Sequence, residues 1–485
     1  MKPFHGTLAV VLIIAAGSFF RLDGIERATI SDDASYLYKS LLVYQGQRPY
    51  EDFFCAHPPL YLYLSALSYR MFGVGIVQGK LFEVLFSIAA LPLTYFVTKR
   101  FYGLQAALFT TLMFSLSYGT IVLTKHIYLS SIPLFFSLLA SYLFLEGSSS
   151  GRRAMLVLAG ASAGIAILCK LTGIIVLASI AVYALLSREP PKNVLCVAGG
   201  FLLVIVPSLA PFLSKSFLWQ VLGFHAGKHG FSILSRAELG LIVTFGMFPA
   251  IFSFGLWGIY KVLASGPRCK ADTFYAINAA MSLCFIVLIQ YNITVLPAVY
   301  ISASIYAFAI LGNSILKGTD SIFAIFAVLL LVSTIAVACV RLMTCDAIAS
   351  RMLTEDTMLA AEFMAKRSTP ADMVVAVPYE AYYVPFLSGR RIVPELVDLN
   401  INRLGELDRD SLLSIKSGAG YMVFYSTPNP DGDELLTILG IRRDDWLIKA
   451  NDRMNKMLLS GAREVGRFGS IVIYENAVGD DGDES

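Results

Sequence analysis

The residues best able to do chemistry in this 485-residue chain gather between Ser31 and Tyr61, SDDASYLYKSLLVYQGQRPYEDFFCAHPPLY. The stretch holds four carboxylates (Asp32, Asp33, Glu51, Asp52), His57 and five tyrosines (Tyr36, Tyr38, Tyr44, Tyr50, Tyr61). It follows an apolar run, Phe4–Phe20, and is the long polar interruption in the first 120 residues. Acids at the edge of a membrane span are expensive to keep there without a use. Adjacent carboxylates at such a boundary suit a metal ligand, or a general base that takes a proton from an attacking hydroxyl or amine. The structural alternative is a solvated pair capping a helix, because Ser-Asp-Asp before Ala-Ser-Tyr-Leu-Tyr is also an N-cap signature.

Other candidates lie downstream. In His57-Pro58-Pro59-Leu60-Tyr61, an imidazole on a stiff turn can meet a phosphate or orient a carboxylate; equally, the motif reads as a turn with Tyr61 and Tyr63 as interfacial anchors. Lys80, the pair Lys125-His126 and Lys170 sit at span ends on the side opposite the other basic residues. An anionic lipid headgroup would explain that placement, and so would snorkelling of the lysine stems. Glu83 is three residues from Lys80, a spacing that pairs them on one helix face. His225, Lys228 and His229 lie in an amphipathic segment, Lys215–Arg236, read as a surface helix or lid. Asn292-Ile293-Thr294 is a sequon at a span edge, awkward for a glycosylating enzyme to reach. The seven cysteines show no CxxC spacing, which argues against zinc or a redox pair.

These groups need elements to hold them, and the composition says which. The chain is 56% hydrophobic and 15% charged, far below the roughly 25% charge of soluble domains. Hydropathy predicts about eleven spans: Phe4–Phe20, Leu81–Val97, Gly103–Leu123, Ser131–Leu145, Ala154–Leu168, Leu171–Leu186, Val194–Leu213, Leu239–Leu263, Tyr275–Ile289, Ile293–Leu316 and Ile322–Val340. Pro58–Phe72 is too short for a crossing and reads as a helix on the membrane surface. Without a small-residue cleavage site, the first span reads as retained. Alternation places Lys2, Lys99-Arg100, Arg152-Arg153 and Lys317 on one side. The positive-inside rule makes that side, and the N-terminus, cytoplasmic in a multi-pass cell-membrane protein. The net charge of +3 gives no footprint for nucleic acid.

From about residue 344 the composition turns polar, with β-prone runs at Met373–Val377, Tyr421–Tyr425 and Ser470–Tyr474 and helical patterns at Glu355–Lys366 and Leu412–Ser417. The expected fold is a mainly α, polytopic transmembrane bundle over residues 1–343, with a catalytic outer loop at 23–80. An extracytoplasmic α/β domain follows over 344–476, then a disordered acidic tail, 477–485.

The order and spacing of several of these features resemble the polytopic GT-C glycosyltransferases, in particular the protein-mannosyltransferase-like group that includes lipid A aminoarabinose transferases. The resemblance rests on Asp32-Asp33, Tyr36, Gly46, Pro49-Tyr50, His57-Pro58-Pro59-Leu60-Tyr61, Lys80, Tyr95–Gly103, Ala159–Gly173 and Gln290–Pro297, and covers roughly the first 320 residues. It departs from the family where many relatives have a second acid after the third span: here the loop reads Lys125-His126-Ile127-Tyr128. The resemblance implies transfer of a sugar from a polyprenyl-phosphate donor to a lipid, glycan or protein acceptor on the outer face. It implies Asp32, with Asp33, as the catalytic carboxylate. His57, Lys80, Lys125, His126 and Lys170 would contact the donor phosphate, and Tyr36, Tyr50, Glu51, Asp52, Tyr61 and Tyr291 would shape the sugar or acceptor pocket. No cofactor is firmly implied, although a divalent cation, magnesium or manganese, is compatible with an acidic pair. Two other classes stay open. A lipid or solute transporter would place charges mid-span and show repeats, neither of which is seen. A non-catalytic assembly subunit would fit the absent second acid.

Overall fold

The computed structural model describes residues 3–29, 32–224, 260, 263–264, 266–267, 269–285, 346–377, 379–397, 409–425 and 457–476. The readings placed on His225, Lys228, His229, Tyr291, the sequon, the acidic tail, most of Leu239–Leu263 and the two spans after residue 292 fall outside these residues.

The helical part begins with α1 (Pro3–Leu22), α2 (Asp33–Tyr44), α3 (Leu60–Phe72) and α4 (Ile76–Tyr102). It continues through α5 (Leu104–Leu116), α6 (Tyr118–Lys125), α7 (Ser131–Ser150), α8 (Arg153–Cys169), α9 (Ile174–Leu186) and α10 (Pro191–Leu209). A further helix spans Lys270–Cys284. Three described helices are long and apolar enough to cross a membrane: α4, α7, and α10 with its extension to Phe212. Four described apolar helices are shorter.

The expected single span Gly103–Leu123 is corrected. Ser117 is extended (φ −71°, ψ 127°), so α5 and α6 are separate helices. The break exposes carbonyls at the end of α5, and a buried guanidinium collects them. Arg21, at the end of α1, donates to the carbonyls of Phe114 (3.1 Å), Ser115 (3.0 Å) and Gly17 (2.9 Å) and to Ser87 Oγ (2.7 Å). Thr120 Oγ1 closes the same turn on Phe114 and Ser117. Orphan helix-end carbonyls demand such partners where water is absent. Elsewhere the split at Cys169-Lys170 is as expected, with Lys170 extended between α8 and a short 3₁₀ turn leading into α9. Helices α8 and α10 pack closely because Gly160 lies against the Val197 carbonyl and Gly200 against that of Val157, where any Cβ would collide.

Pro58–Phe72 contains the separate thirteen-residue helix α3, which Gly73 (φ 84°) ends before α4 begins. The outer segment is less loop-like than its polarity suggests. Eleven of the twelve α2 residues are buried, between α3 and α4 on one side and the C-terminal region on the other. Asp33, Tyr38 and Lys39 find partners inside the protein, which hydropathy does not register.

Five strands form one sheet in the order β2-β1-β3-β5-β4, with β1 (Met373–Val377), β2 (Arg391–Ile392), β3 (Tyr421–Tyr425), β4 (Ala462–Phe468) and β5 (Ile471–Asn476). Strand β1 runs parallel to β2 and β3, while β5 is antiparallel to β3 and β4. The central strands carry unbroken buried runs, Val374-Val375-Ala376 and Met422-Val423, as a sheet covered on both faces requires. The Asp346–Arg367 helix packs on β4 and β5. Arg390 closes that helix by donating to the carbonyls of Ala365 and Ser368.

This sheet unit is docked onto α2. Tyr38 Oη accepts from the Ile392 N–H (2.7 Å) and its ring meets Tyr382 edge-on. Tyr383 Oη accepts from the Thr29 N–H (3.2 Å), and Thr354 Oγ1 from that of Ala28 (2.9 Å). Burial pushes the Tyr38 hydroxyl up to about 12, so it keeps its proton in this contact.

Candidate active site

The two acids at the head of α2 have different surroundings. Asp33, in the first helical turn, is fully buried. Its Oδ2 lies 2.8 Å from Lys80 Nζ and 3.5 Å from His126 Nδ1 and accepts from Thr29 Oγ1 at 2.7 Å, while Oδ1 accepts the Ile127 N–H at 2.6 Å. Burial alone would raise the Asp33 carboxyl, but the Lys80 ammonium and the His126 ring hold it well below the usual carboxylate range. Asp33 is therefore favoured as the carboxylate that pairs with Lys80. Asp32 occupies the N-cap position, is partly exposed, and makes no side-chain capping bond. The capping alternative for Asp32 is thus not what the structure uses, and this carboxylate is the more accessible of the two.

Lys80 is 1% exposed and divides its donors between Asp33 and the Arg27 carbonyl (3.0 Å). The expected Lys80–Glu83 pairing is corrected: Lys80 turns toward α2, and Glu83 Oε2 instead accepts the Ser131 N–H at 2.9 Å. Lys170 is buried and donates to the Tyr128 carbonyl at 2.8 Å. Both lysines are thus engaged internally. Lys125, in the last turn of α6, and His126, its C-cap, remain partly exposed, as does His57.

The link from α6 to α7 is strained. Leu129 holds φ 53° in the left-handed region, which costs a bulky residue about 1–3 kcal/mol. Tyr50 does the same at φ 73° and is pinned from every side. Its carbonyl accepts from Ser216 Oγ (2.7 Å) and Gln220 Nε2 (3.1 Å), and its hydroxyl donates to the His57 carbonyl (2.7 Å). Its ring meets Phe217 at 4.9 Å, and burial pushes its hydroxyl far up. Gln220 Oε1 also accepts the Cys55 N–H at 2.8 Å. Tyr50 and Gln220 therefore fix the His57 turn.

Of the expected pocket residues, the structure brings Tyr36 and Tyr61 together, beside His57 from the expected phosphate contacts. The Tyr36 ring lies 5.9 Å from His57 and 6.0 Å from Tyr61, with Lys39 Nζ 4.9 Å from its centre. The Tyr61 hydroxyl is committed to the Gly79 carbonyl. Glu51 and Asp52 are solvent-facing and both engage Arg48, closing their own turn. Among the described residues no three His, Cys, Asp or Glu side chains gather as a metal would need, and Asp33 already holds a cation. Sequence reasoning passed over Arg21, Lys39, Gln220 and Tyr383. Only Arg21 carried a signal, a lone charge ending an apolar span.

Residues 56–214 match the family described as dolichyl-phosphate-mannose-protein mannosyltransferase. No curated protein sequence matches the chain. Among solved structures, ArnT from Cupriavidus metallidurans bound to undecaprenyl phosphate superposes over 100% of both chains, with TM-score 0.64 and 17% identity. It has the GT-C fold. The oligosaccharyltransferase AglB from Archaeoglobus fulgidus, in complex with an inhibitory peptide and a dolichol-phosphate, shares that fold over 99% of this chain and 75% of its own, at TM-score 0.58 and 13% identity. The mycobacterial arabinofuranosyltransferase AftD shares it more distantly, at TM-score 0.51 and 12% identity, over 99% of this chain and 40% of its own. Within the GT-C fold, the family match begins at Ala56 and so takes in His57, Lys80, Lys125, His126 and Lys170 but neither Asp32 nor Asp33.

Proposed function

We propose that the chain is a membrane glycosyltransferase that moves a sugar from a polyprenyl-phosphate donor to an acceptor on the outer face of the membrane. The observation that carries this reading is the division of labour at the head of α2: a buried, ion-paired Asp33 beside a partly exposed Asp32 in a GT-C fold. Support for the donor class comes from ArnT and AglB, whose structures hold undecaprenyl phosphate and dolichol-phosphate.

In this mechanism Asp32 takes the proton of the acceptor hydroxyl or amine as that atom attacks the anomeric carbon. The new glycosidic bond forms while the bond from the anomeric carbon to phosphate oxygen breaks, and the lipid phosphate leaves with the electron pair. Lys125, His126 and His57 stabilise the departing charge. Asp33 and Lys80 hold the α2 head against the loop after α6, and the buried Tyr36 and Tyr61 rings back the His57 turn. The C-terminal sheet unit, docked on α2, covers the site and contributes to acceptor choice. A magnesium or manganese ion would be held by Asp32 with donor oxygens, and no step above depends on it.

The test is transfer of label from polyprenyl-phosphate sugars in membranes carrying wild type or Asp32→Asn, with and without chelator. Loss of a general base lowers the rate by about 10²–10⁴-fold, with insertion and abundance unchanged. Transfer retained near wild type by Asp32→Asn would remove Asp32 from this role, and chelator sensitivity would decide the metal.

A further inference from the structure

The five-residue link His126–Ser130 and the first residue of α7 are held by three buried ionisable side chains. Asp33 from α2 accepts the Ile127 N–H at 2.6 Å, Lys170 from the α8–α9 junction donates to the Tyr128 carbonyl at 2.8 Å, and Glu83 from α4 accepts the Ser131 N–H at 2.9 Å. All three side chains are at most 5% exposed. They reach the link from three separate elements, and at its centre Leu129 stays in the left-handed region. Three buried side chains that reach one short backbone from separate elements fix its position, because releasing any of them leaves a buried backbone group without its partner. The residues at the start of this link are Lys125 and His126, both partly exposed.

We infer that Glu83 and Lys170 are positioning residues that hold the 126–131 backbone so that the Lys125 ammonium and the His126 ring are presented together to the lipid phosphate. The inference rests on the proposed function for the identity of the ligand, and on geometry alone for the positioning. Lys170 thereby acts through the Tyr128 carbonyl and not on phosphate itself. Glu83 Oε1, for which no hydrogen-bond partner is found among the described residues, leaves that carboxylate anchored through the oxygen that meets Ser131.

The experiment uses the full chain in nanodiscs, with undecaprenyl phosphate as the binding probe and amide hydrogen exchange as a readout that needs no activity. Glu83→Leu and Lys170→Met should each raise exchange in peptides covering 126–131, and Glu83→Gln, which keeps an acceptor for the Ser131 N–H, should restore the protection. Glu83→Leu should weaken undecaprenyl phosphate binding about tenfold, the loss of one buried hydrogen bond. Combined with Lys125→Met it should add little to the effect of Lys125→Met alone, because Glu83 works through the same two side chains. Unchanged exchange in Glu83→Leu, or full additivity in the double variant, overturns the inference. If the wild type binds no lipid phosphate, the donor assignment falls, and the exchange result still decides the positioning.

Discussion

Replacing Asp33 by Asn tests the centre of the site most directly. The carboxylate meets Lys80 at 2.8 Å, Thr29 at 2.7 Å, the Ile127 N–H at 2.6 Å and His126 at 3.5 Å. An amide keeps one acceptor oxygen and turns a donor NH₂ toward other donors, leaving the Lys80 ammonium buried without its counter-ion. Breaking a buried pair on one side costs about 3–5 kcal/mol, and Lys80→Met, which strands the carboxylate, falls in the same range. With both charges gone, the double variant should be less destabilised than the sum of the singles by about 1–3 kcal/mol. The assay is unfolding by SDS titration in mixed micelles, followed by circular dichroism. Additivity within about 0.5 kcal/mol would refute the pairing.

The pH dependence follows with its sign. Because the folded Asp33 carboxyl lies well below its unfolded value, its contribution is complete above the unfolded value of about 3.9 and is lost only as pH falls through the lower folded one. In a His126→Gln background, which removes the imidazole 3.5 Å away, the stability difference made by Asp33→Asn should therefore stay constant from about pH 8 to pH 5, and a decline inside that window would contradict a depressed carboxyl.

Three further outcomes follow from the geometry. Arg21→Met removes four buried hydrogen bonds and strands the Ser115 carbonyl, while that of Phe114 keeps only Thr120 Oγ1; at about 1–3 kcal/mol for an orphaned group, the variant should fail to remain monodisperse after mild heating in detergent, as read by size-exclusion chromatography. Gly160→Val drives a side chain into the Val197 carbonyl and should cost about 1–3 kcal/mol by overpacking, with a matching drop in melting temperature. Tyr383→Phe deletes the hydroxyl that meets Thr29, itself bonded to Asp33. It should lower transfer severalfold, about 1 kcal/mol for a neutral hydrogen bond, at unchanged expression, and unchanged transfer would show the sheet unit to be decoupled from the site.

The sequence made much of this legible through periodicity and charge. Apolar runs found the helix breaks at Gly73 and Lys170, and β-prone runs found the three central strands. Hydropathy could not see the Ser117 break, because an extended residue inside an apolar stretch leaves the average unchanged. Nor could it divide the roles of Asp32 and Asp33. That division depends on where Lys80 and the Ile127 N–H arrive in space, 47 and 94 positions downstream. The Lys80–Glu83 spacing was favourable for pairing, yet a fully buried carboxylate on another helix outcompeted a neighbour one turn away. Tyr383 was invisible for the same reason, since its partner Thr29 lies 354 residues back.

The Arg21 clamp also bears on how the chain is built. Its guanidinium closes the first helix, but two of its acceptors, the Phe114 and Ser115 carbonyls, lie 93 and 94 residues later. Without α4 and the α5–α6 break, that charge would lack all its acceptors but the Gly17 carbonyl. The packed position of the first helix and the α5–α6 break are therefore one structural unit, since neither satisfies its polar groups without the other.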